Sequence, residues 1–186
     1  MGIMAELPDD VTPFQIGTTG VFDRTPFSLI GRARMAWEDG GWNEWFLWFG
    51  DGRKGWLAEA QGFLAVSFVQ ELSRASDWTR KPLRLDQDID YDSETYTIAD
   101  LKRAECVACE GELPSVLKSG QKSFVADAIG PGGEFLSVSC DGHWVPEELF
   151  AGVYAEFNTF GFSHLRELPG WTSPLAASPR QALKNA

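Results

Sequence analysis

Apolar and polar residues alternate most regularly in residues 42–62, where four of the eight tryptophans lie. Residues 45–49 place three large apolar side chains on one face of an extended strand and two on the other. Asp51-Gly52 follows, and this pair tolerates the positive φ that a tight hairpin turn requires. The chain then returns through another apolar pair, Trp56-Leu57, so the pattern predicts a tryptophan-rich β-hairpin.

The same alternation extends on both sides of this hairpin. Residues 26–69 read as a four-stranded antiparallel meander with short turns. Further strand-sized runs follow at 95–98, 105–113, 123–129, 134–139 and 152–157. A turn or one helical turn is predicted between the first two of these runs. Pro146, at a first helical position with Gly152 beyond it, favours another helical turn.

These elements predict a mostly β fold. It is an antiparallel barrel or sandwich, built from a tryptophan-rich N-terminal meander and a second β half, with one or two short helices. Residues 1–13 are predicted to form a flexible N-terminal arm and residues 172–186 a disordered tail. Residues 14–171 then form a single β-rich domain, which could divide into halves at 14–81 and 82–171.

The acidic net charge of the chain excludes some classes of function. The net charge is −11 and the pI about 4.6, which excludes ordinary nucleic-acid backbone binding because that needs Lys and Arg to displace counterions. No apolar run is long enough for a membrane helix, so membrane insertion is not expected. An acidic N-terminus without an apolar signal region, together with an odd count of three cysteines, predicts a cytoplasmic protein.

The hairpin tryptophans are the first candidates for ligand binding. Trp42, Trp45 and Trp56 could form an aromatic platform for a ligand or peptide. The alternative is that they pack the two faces of a sheet, since large aromatic side chains dominate the cores of β domains. A strand that is apolar on both faces is expected to leave one tryptophan exposed.

A cysteine–histidine set is the sharpest chemical pattern. Cys106-x-x-Cys109 and Cys140-x-x-His143 have the spacing of a four-ligand zinc site. Cysteines three apart on a regular strand point to opposite faces, however, and no glycine follows Cys109 directly. The prediction is therefore no cofactor, with zinc kept as an alternative to small buried thiols.

Carboxylates supply the other candidates. Glu110 and Glu112 share a face if they lie on a strand, and Asp127 could join them across a neighbouring strand for acid–base chemistry. The alternative is a turn in which Gly111 forms a bulge. Residues 86–94 carry acids at every second position, which predicts either a solvated acidic loop or edge or a weak cation site.

Two motifs resemble a known family. Trp42-x-Glu44-Trp45 with residues 55–62, and residues 109–114 with Gly132-Gly133, are similar to the bacterial domain of unknown function 4178 family over about residues 14–168. The resemblance implies no established activity.

We therefore expect a soluble bacterial protein that acts as a non-catalytic binding or accessory module with an acidic surface. Its partner would be an unknown protein or a small cationic ligand. The alternative is an enzyme or metal-binding protein that uses Glu110, Glu112 and Asp127 or the cysteine–histidine set.

Overall fold

The computed structural model describes residues 11–114 and 117–169, and in these ranges the fold is almost entirely β. The ten strands are β1 (Thr19–Phe22), β2 (Thr25–Trp37), β3 (Gly40–Phe49), β4 (Lys54–Ala60), β5 (Phe63–Gln70), β6 (Asp88–Tyr91), β7 (Glu94–Gly111), β8 (Lys122–Ile129), β9 (Glu134–Cys140) and β10 (Pro146–Ala155). Two short 3-10 helices, Asp77–Arg80 and Phe157–Phe160, complete the described elements. No helix in the described ranges is long and apolar enough to cross a membrane.

The strands form one antiparallel sheet in the order β1-β2-β3-β4-β5-β10-β9-β8-β7-β6. An additional pairing of β2 with β7 closes strands β2–β5 and β7–β10 into an eight-stranded barrel. The predicted mostly β fold is confirmed, and of the two architectures expected it is the barrel. The predicted meander corresponds to β2–β5. The predicted arm and tail lie largely outside the described residues.

Strand β7 closes the barrel because it is long and irregular. Its 18 residues pair with β6, then with β8, and finally with β2. The turn predicted near residues 99–104 is therefore wrong, as the strand continues through a bulge between Ile98 and Asp100. The helical turn predicted at Pro146 is also wrong. Pro146 instead opens strand β10, a position where proline does not interrupt the hydrogen-bond ladder.

Two apolar cores lie on the outer face of the barrel wall. The first is covered by the N-terminal segment and the second 3-10 helix, and its most buried members are Phe14, Leu29, Trp45, Leu47, Phe49, Leu57, Val66 and Phe160. The second is covered by the segment around the first 3-10 helix and contains Trp78, Leu83, Ile89, Ile98, Ala126, Leu136, Val138 and Leu149. Since residues at alternate positions of the same strands face the other way, a separate interior surface remains.

A buried polar network fastens the N-terminal segment to the first core. The Glu59 carboxylate accepts hydrogen bonds from Thr12 Oγ1 at 2.8 and 2.7 Å, from Asn43 Nδ2 at 3.0 Å and from Trp45 Nε1 at 3.1 Å. Arg32 donates to Asn43 Oδ1 and its guanidinium lies 5.0 Å from the Trp45 ring centre. Thr12, within the segment predicted as an arm, is buried.

The acidic row is a hairpin at the edge of the sheet. Asp88 and Asp90 lie on edge strand β6, where they accept hydrogen bonds from Thr97 and Thr95 at 2.8 Å. The positive φ of Asp92 and Ser93 turns the chain, so the acids do not continue along one strand face. This is the edge arrangement that the sequence offered as one alternative.

Candidate functional site

The barrel surrounds an open cavity of about 630 Å³, a size typical of small-molecule sites. Side chains from all eight barrel strands line it, which makes it the lumen of the barrel. The principal lumen residues are Met35, Trp42, Glu44, Phe46, Trp56, Ala58, Ala65, Ser67, Lys102, Val125, Asp127, Phe135, Ser137, Glu148, Phe150 and Tyr154. The lumen thus combines aromatic walls with a few charged groups.

Glu44 is the most perturbed carboxyl group in the lumen. Its Oε1 accepts a hydrogen bond of 2.6 Å from Trp42 Nε1, and none of the described residues forms a salt bridge with it. Glu44 is half-buried: it lines the cavity and keeps some accessible surface, while the surrounding barrel wall excludes most of the solvent. This burial raises the pKa of Glu44 to about 7, against the lowering effect of the Trp42 hydrogen bond, and the charge of Asp127 raises it further.

Lys102 and Asp127 form the second polar group of the lumen. Lys102 Nζ lies 2.7 Å from Asp127 Oδ2 and 2.9 Å from Asp100 Oδ2, and Asp127 Oδ1 accepts a hydrogen bond of 2.9 Å from Ser137. Burial lowers the pKa of Lys102, but the two carboxylates outweigh it and the net shift is upward. Lys102 is therefore charged, and its charge is shared between two acids.

Charge in the lumen is consequently negative. Four carboxylates line the cavity with two ammonium groups: Asp39, Glu44, Asp127 and the rim residue Glu148 against Lys54 and Lys102. Burial also raises the pKa of Glu148. With Lys102 already held by Asp100 and Asp127, Glu44 has no countercharge among the described side chains. A positively charged guest would supply one.

Aromatic rings surround these charges. Trp42 and Trp56 lie in the lumen, and Phe46 packs against Trp56 with ring centres 4.8 Å apart. At one mouth, Phe135 lies 5.1 Å from Tyr154, measured between ring centres. Aromatic faces attract cations, so this lining and the carboxylates favour the same kind of ligand.

The hairpin tryptophans therefore divide between three environments. Trp42 and Trp56 face the lumen, whereas Trp45 is completely buried in the first outer core. Trp48 is 47% exposed, with the Lys54 ammonium 5.1 Å from its ring centre. Of the three predicted ligand-binding tryptophans, only two thus reach the cavity.

The structure does not bring the three candidate carboxylates together. Asp127 lies in the lumen, but Glu110 and Glu112 are exposed and do not line it. Glu110 instead lies 3.6 Å from the buried Arg32 guanidinium. Gly111 has φ 68° and packs against the Ile30 carbonyl at the end of β7, whereas the register shift of the β2–β7 pairing lies between Arg34 and Met35. The acid–base site is therefore not favoured.

The cysteine–histidine set is also divided. Cys106 and Cys109 are neighbours, but Cys140 is buried in the second outer core and His143 lies in the turn between β9 and β10. Within the described ranges, no group of three or more His, Cys, Asp or Glu side chains has a metal-binding arrangement. The four side chains of the alternative zinc site are therefore not brought together in the described part of the chain.

Glu44, Lys102 and Glu148 were not identified as candidates from the sequence. One signal for Glu44 is present: it occupies a position between Trp42 and Phe46 on an otherwise apolar strand face. A single carboxylate in an apolar stripe indicates a polar spot inside a core or cavity. Lys102 and Glu148 carry no such signal, because their strands are mixed in polarity.

The fold and its interior define the class of protein: a closed eight-stranded antiparallel β-barrel with an internal cavity. The model of the family described as Domain of unknown function (DUF4178) matches residues 15–152, and the chain belongs to that family. The matched segment includes all of β2–β9 and most of β10. Neither the curated proteins nor the solved structures yielded a match to this chain.

Proposed function

We propose that this protein is a non-catalytic binding module whose lumen holds a small organic cation with an apolar body. The observation that carries the proposal is the Glu44 carboxylate, which lies inside an aromatic-lined cavity of about 630 Å³ without a countercharge among the described side chains.

Three features support the same ligand class. The aromatic walls provide apolar contact and cation–π attraction. The excess of carboxylates over ammonium groups in the lumen disfavours an anion, since like charges at short range raise its binding free energy. The net charge of −11 attracts cations toward the molecule before they reach the cavity.

We also propose that the protein is located in the cytoplasm. An acidic chain with an odd number of cysteines supports a cytoplasmic protein, where small amines and quaternary ammonium compounds are accessible ligands. A protein partner remains the second interpretation, and the observation that favours it is the exposed Trp48 at the end of β3.

Hexyltrimethylammonium, hexan-1-ol and hexanoate test the proposal because they share an apolar chain and differ in charge. Titration calorimetry, with tryptophan fluorescence as a second readout, gives the affinity of each. We expect the ammonium to bind most tightly and hexanoate most weakly. The absence of saturable binding by the ammonium would overturn the proposal.

Two charge-neutralising variants make the test specific. Glu44→Gln should weaken ammonium binding roughly tenfold, which corresponds to about 1.4 kcal/mol. Lys102→Gln should strengthen it, because two carboxylates lose their countercharge. If the substitutions damaged the fold, both variants would bind the ammonium more weakly. Weaker binding in Glu44→Gln together with stronger binding in Lys102→Gln therefore identifies the charge of the lumen as the cause. Equal effects of the two variants would contradict the proposal.

A further inference from the structure

A bulge in β7 places two cysteines on the same face of the barrel wall. Met35 of β2 is opposite Cys106 and Ala33 is opposite Cys109, although the cysteines are three positions apart and their partners only two. The register shift occurs between Arg34 and Met35, which leaves Val107 as the extra residue. The expectation that these cysteines point to opposite faces is therefore wrong.

The two sulfur atoms lie 3.2 Å apart. A disulfide requires converging side chains, and sulfur atoms at this distance show that the two side chains already converge in the existing strand pairing. Neighbouring hydrogen bonds hold the bulge in place: Cys106 N donates to Gln121 O at 2.9 Å, and Gly120 N donates to Cys106 O at 2.7 Å. Ser119 Oγ also donates to Val107 O at 3.2 Å.

We propose that Cys106 and Cys109 form a redox pair that closes to an intramolecular disulfide on exposure to a hydroperoxide and reopens with a thiol reductant. This inference concerns a site separate from the ligand proposal and does not depend on it. The two thiols differ in access, because Cys109 is exposed and Cys106 is completely buried.

That difference assigns the order of steps. Burial, together with hydrogen bonding to Cys109, raises the pKa of Cys106 to about 11, so Cys106 is protonated at neutral pH and does not react first. The Cys109 sulfur, as thiolate, attacks the peroxide. An S–O bond forms, the O–O bond breaks, and hydroxide leaves and takes up a proton to become water.

The second step forms the disulfide. Cys106 gives up its proton, and its sulfur attacks the Cys109 sulfenic sulfur. The S–S bond forms while the S–O bond breaks, and the hydroxide released takes up the proton as water. In total, two thiols are oxidised to one disulfide and one hydrogen peroxide molecule is reduced to two water molecules.

The pair lies where the barrel closes. Cys106 belongs to a small buried cluster with Ala33, Met35 and Ala104, and Met35 and Ala33 also line the lumen. A disulfide would fix the bulge at the β2–β7 pairing that completes the barrel. Oxidation therefore acts on the lumen wall rather than on a distant surface.

Peptide mapping of the full chain tests the proposal. Reduced, desalted protein is treated with a small excess of hydrogen peroxide, the peroxide is removed, and remaining thiols are blocked with N-ethylmaleimide in urea before digestion with trypsin. Cleavage after Arg103 and Lys118 yields one peptide with both cysteines. We expect this peptide to be two hydrogens lighter and free of maleimide, and to regain both thiols after treatment with dithiothreitol.

Cys140 is the internal control. It is buried in the second outer core, and burial raises its pKa to about 12, so peroxide should leave it reduced and it should carry maleimide once the chain is unfolded for labelling. Cys140→Ser should leave disulfide formation unchanged, whereas Cys109→Ser should slow the loss of the Cys106 thiol at least about tenfold.

Three outcomes would overturn the proposal. In the first, both cysteines keep maleimide under conditions that oxidise a free cysteine standard. In the second, Cys109 is oxidised to a sulfinic acid while Cys106 keeps maleimide. In the third, a non-reducing gel shows dimers linked through Cys109 in place of the intramolecular bond.

Discussion

Among the described carboxyl groups, Glu44 is the one whose pKa changes most on folding. Its ordinary pKa of 4.5 is raised to about 7, chiefly by burial. The folded state therefore keeps the Glu44 proton to a higher pH than the unfolded state. The free energy of unfolding should fall as pH rises from about 4.5 to about 7 through this group, and it should level off above that window.

Glu44→Gln should reverse this loss. The amide introduced by this substitution is neutral at every pH and keeps an oxygen that accepts the Trp42 hydrogen bond. We expect the variant to be more stable than the original protein at about pH 8, by about 2–3 kcal/mol, and equally stable at about pH 4.5. Urea denaturation at the two pH values measures the difference. The exposed Glu105→Gln is the matched control, and a pH-independent effect of Glu44→Gln would contradict the assignment.

Gly152 illustrates a purely steric requirement. A Cβ atom there would overlap the Val66 carbonyl oxygen and lie 2.6 Å from Phe135 Cζ, because β10 passes closely between β5 and β9. Gly152→Ala should lower the free energy of unfolding by about 1–3 kcal/mol. Gly142→Ala is the control, since its nearest atom would be Phe124 Cε2 at 4.0 Å. Equal midpoints of the two variants in urea would show that the barrel adjusts at Gly152.

At the scale of elements, the polar network under the N-terminal segment decides whether that segment stays attached. Glu59 of β4 joins Thr12 of the segment to β3 through Asn43 and Trp45. Three donors, the Thr12 hydroxyl, the Asn43 amide and the Trp45 indole, converge on one carboxylate. A glutamine at position 59 would replace one carboxylate oxygen with an amide nitrogen, which donates hydrogen bonds and cannot accept one from these donors.

Glu59→Gln should therefore leave at least one buried donor without a partner. We expect the free energy of unfolding to fall by about 1–3 kcal/mol at neutral pH. Urea denaturation gives the size of the loss, and faster proteolysis near the N-terminus would show that the segment detaches. Glu94→Gln, at the exposed β6–β7 hairpin, should change neither. An unchanged Glu59→Gln protein would mean that apolar contacts alone hold the segment.

At the scale of the whole molecule, the barrel wall separates the two apolar outer cores from a lumen that is lined by aromatic rings and charged groups. If the lumen holds the ligand, filling it must abolish binding. Ala58 faces the cavity beside Ala65 and Glu44, its neighbours on β5 and β3. Ala58→Phe should reduce the affinity for hexyltrimethylammonium by more than about tenfold, because the ring occupies the volume needed by the alkyl chain.

Ala99→Phe provides the matched control, as it adds the same side chain at an exposed position of β7. Calorimetric titration of both variants, after circular dichroism has verified their β structure, separates the lumen from the acidic exterior. Unchanged affinity in Ala58→Phe, or equal losses in both variants, would assign the ligand to the outer surface.

The elements were predictable where polarity alternates strictly. The β2–β5 meander follows directly from that alternation and from turn residues such as Asp51-Gly52. Strand β7 was not predictable as one strand, because its two bulges shift the alternation of apolar and polar residues. The mixed composition in its middle is also typical of a turn. The helical turn predicted at Pro146 is wrong for a related reason. Local preference favours a helix start there, but pairing with β9 decides the conformation.

The sequence by itself determined the class of fold, the acidic charge and the aromatic content of the N-terminal hairpin, since each depends on composition or on contacts between neighbouring residues. Only the tertiary structure decided that Trp42 faces a lumen while Trp45 faces a core, that Glu44 and Asp127 share one cavity, and that Glu110 lies outside it. The physical reason is closure: which face of a strand becomes the interior depends on the pairing of β2 with β7, residues far apart along the chain.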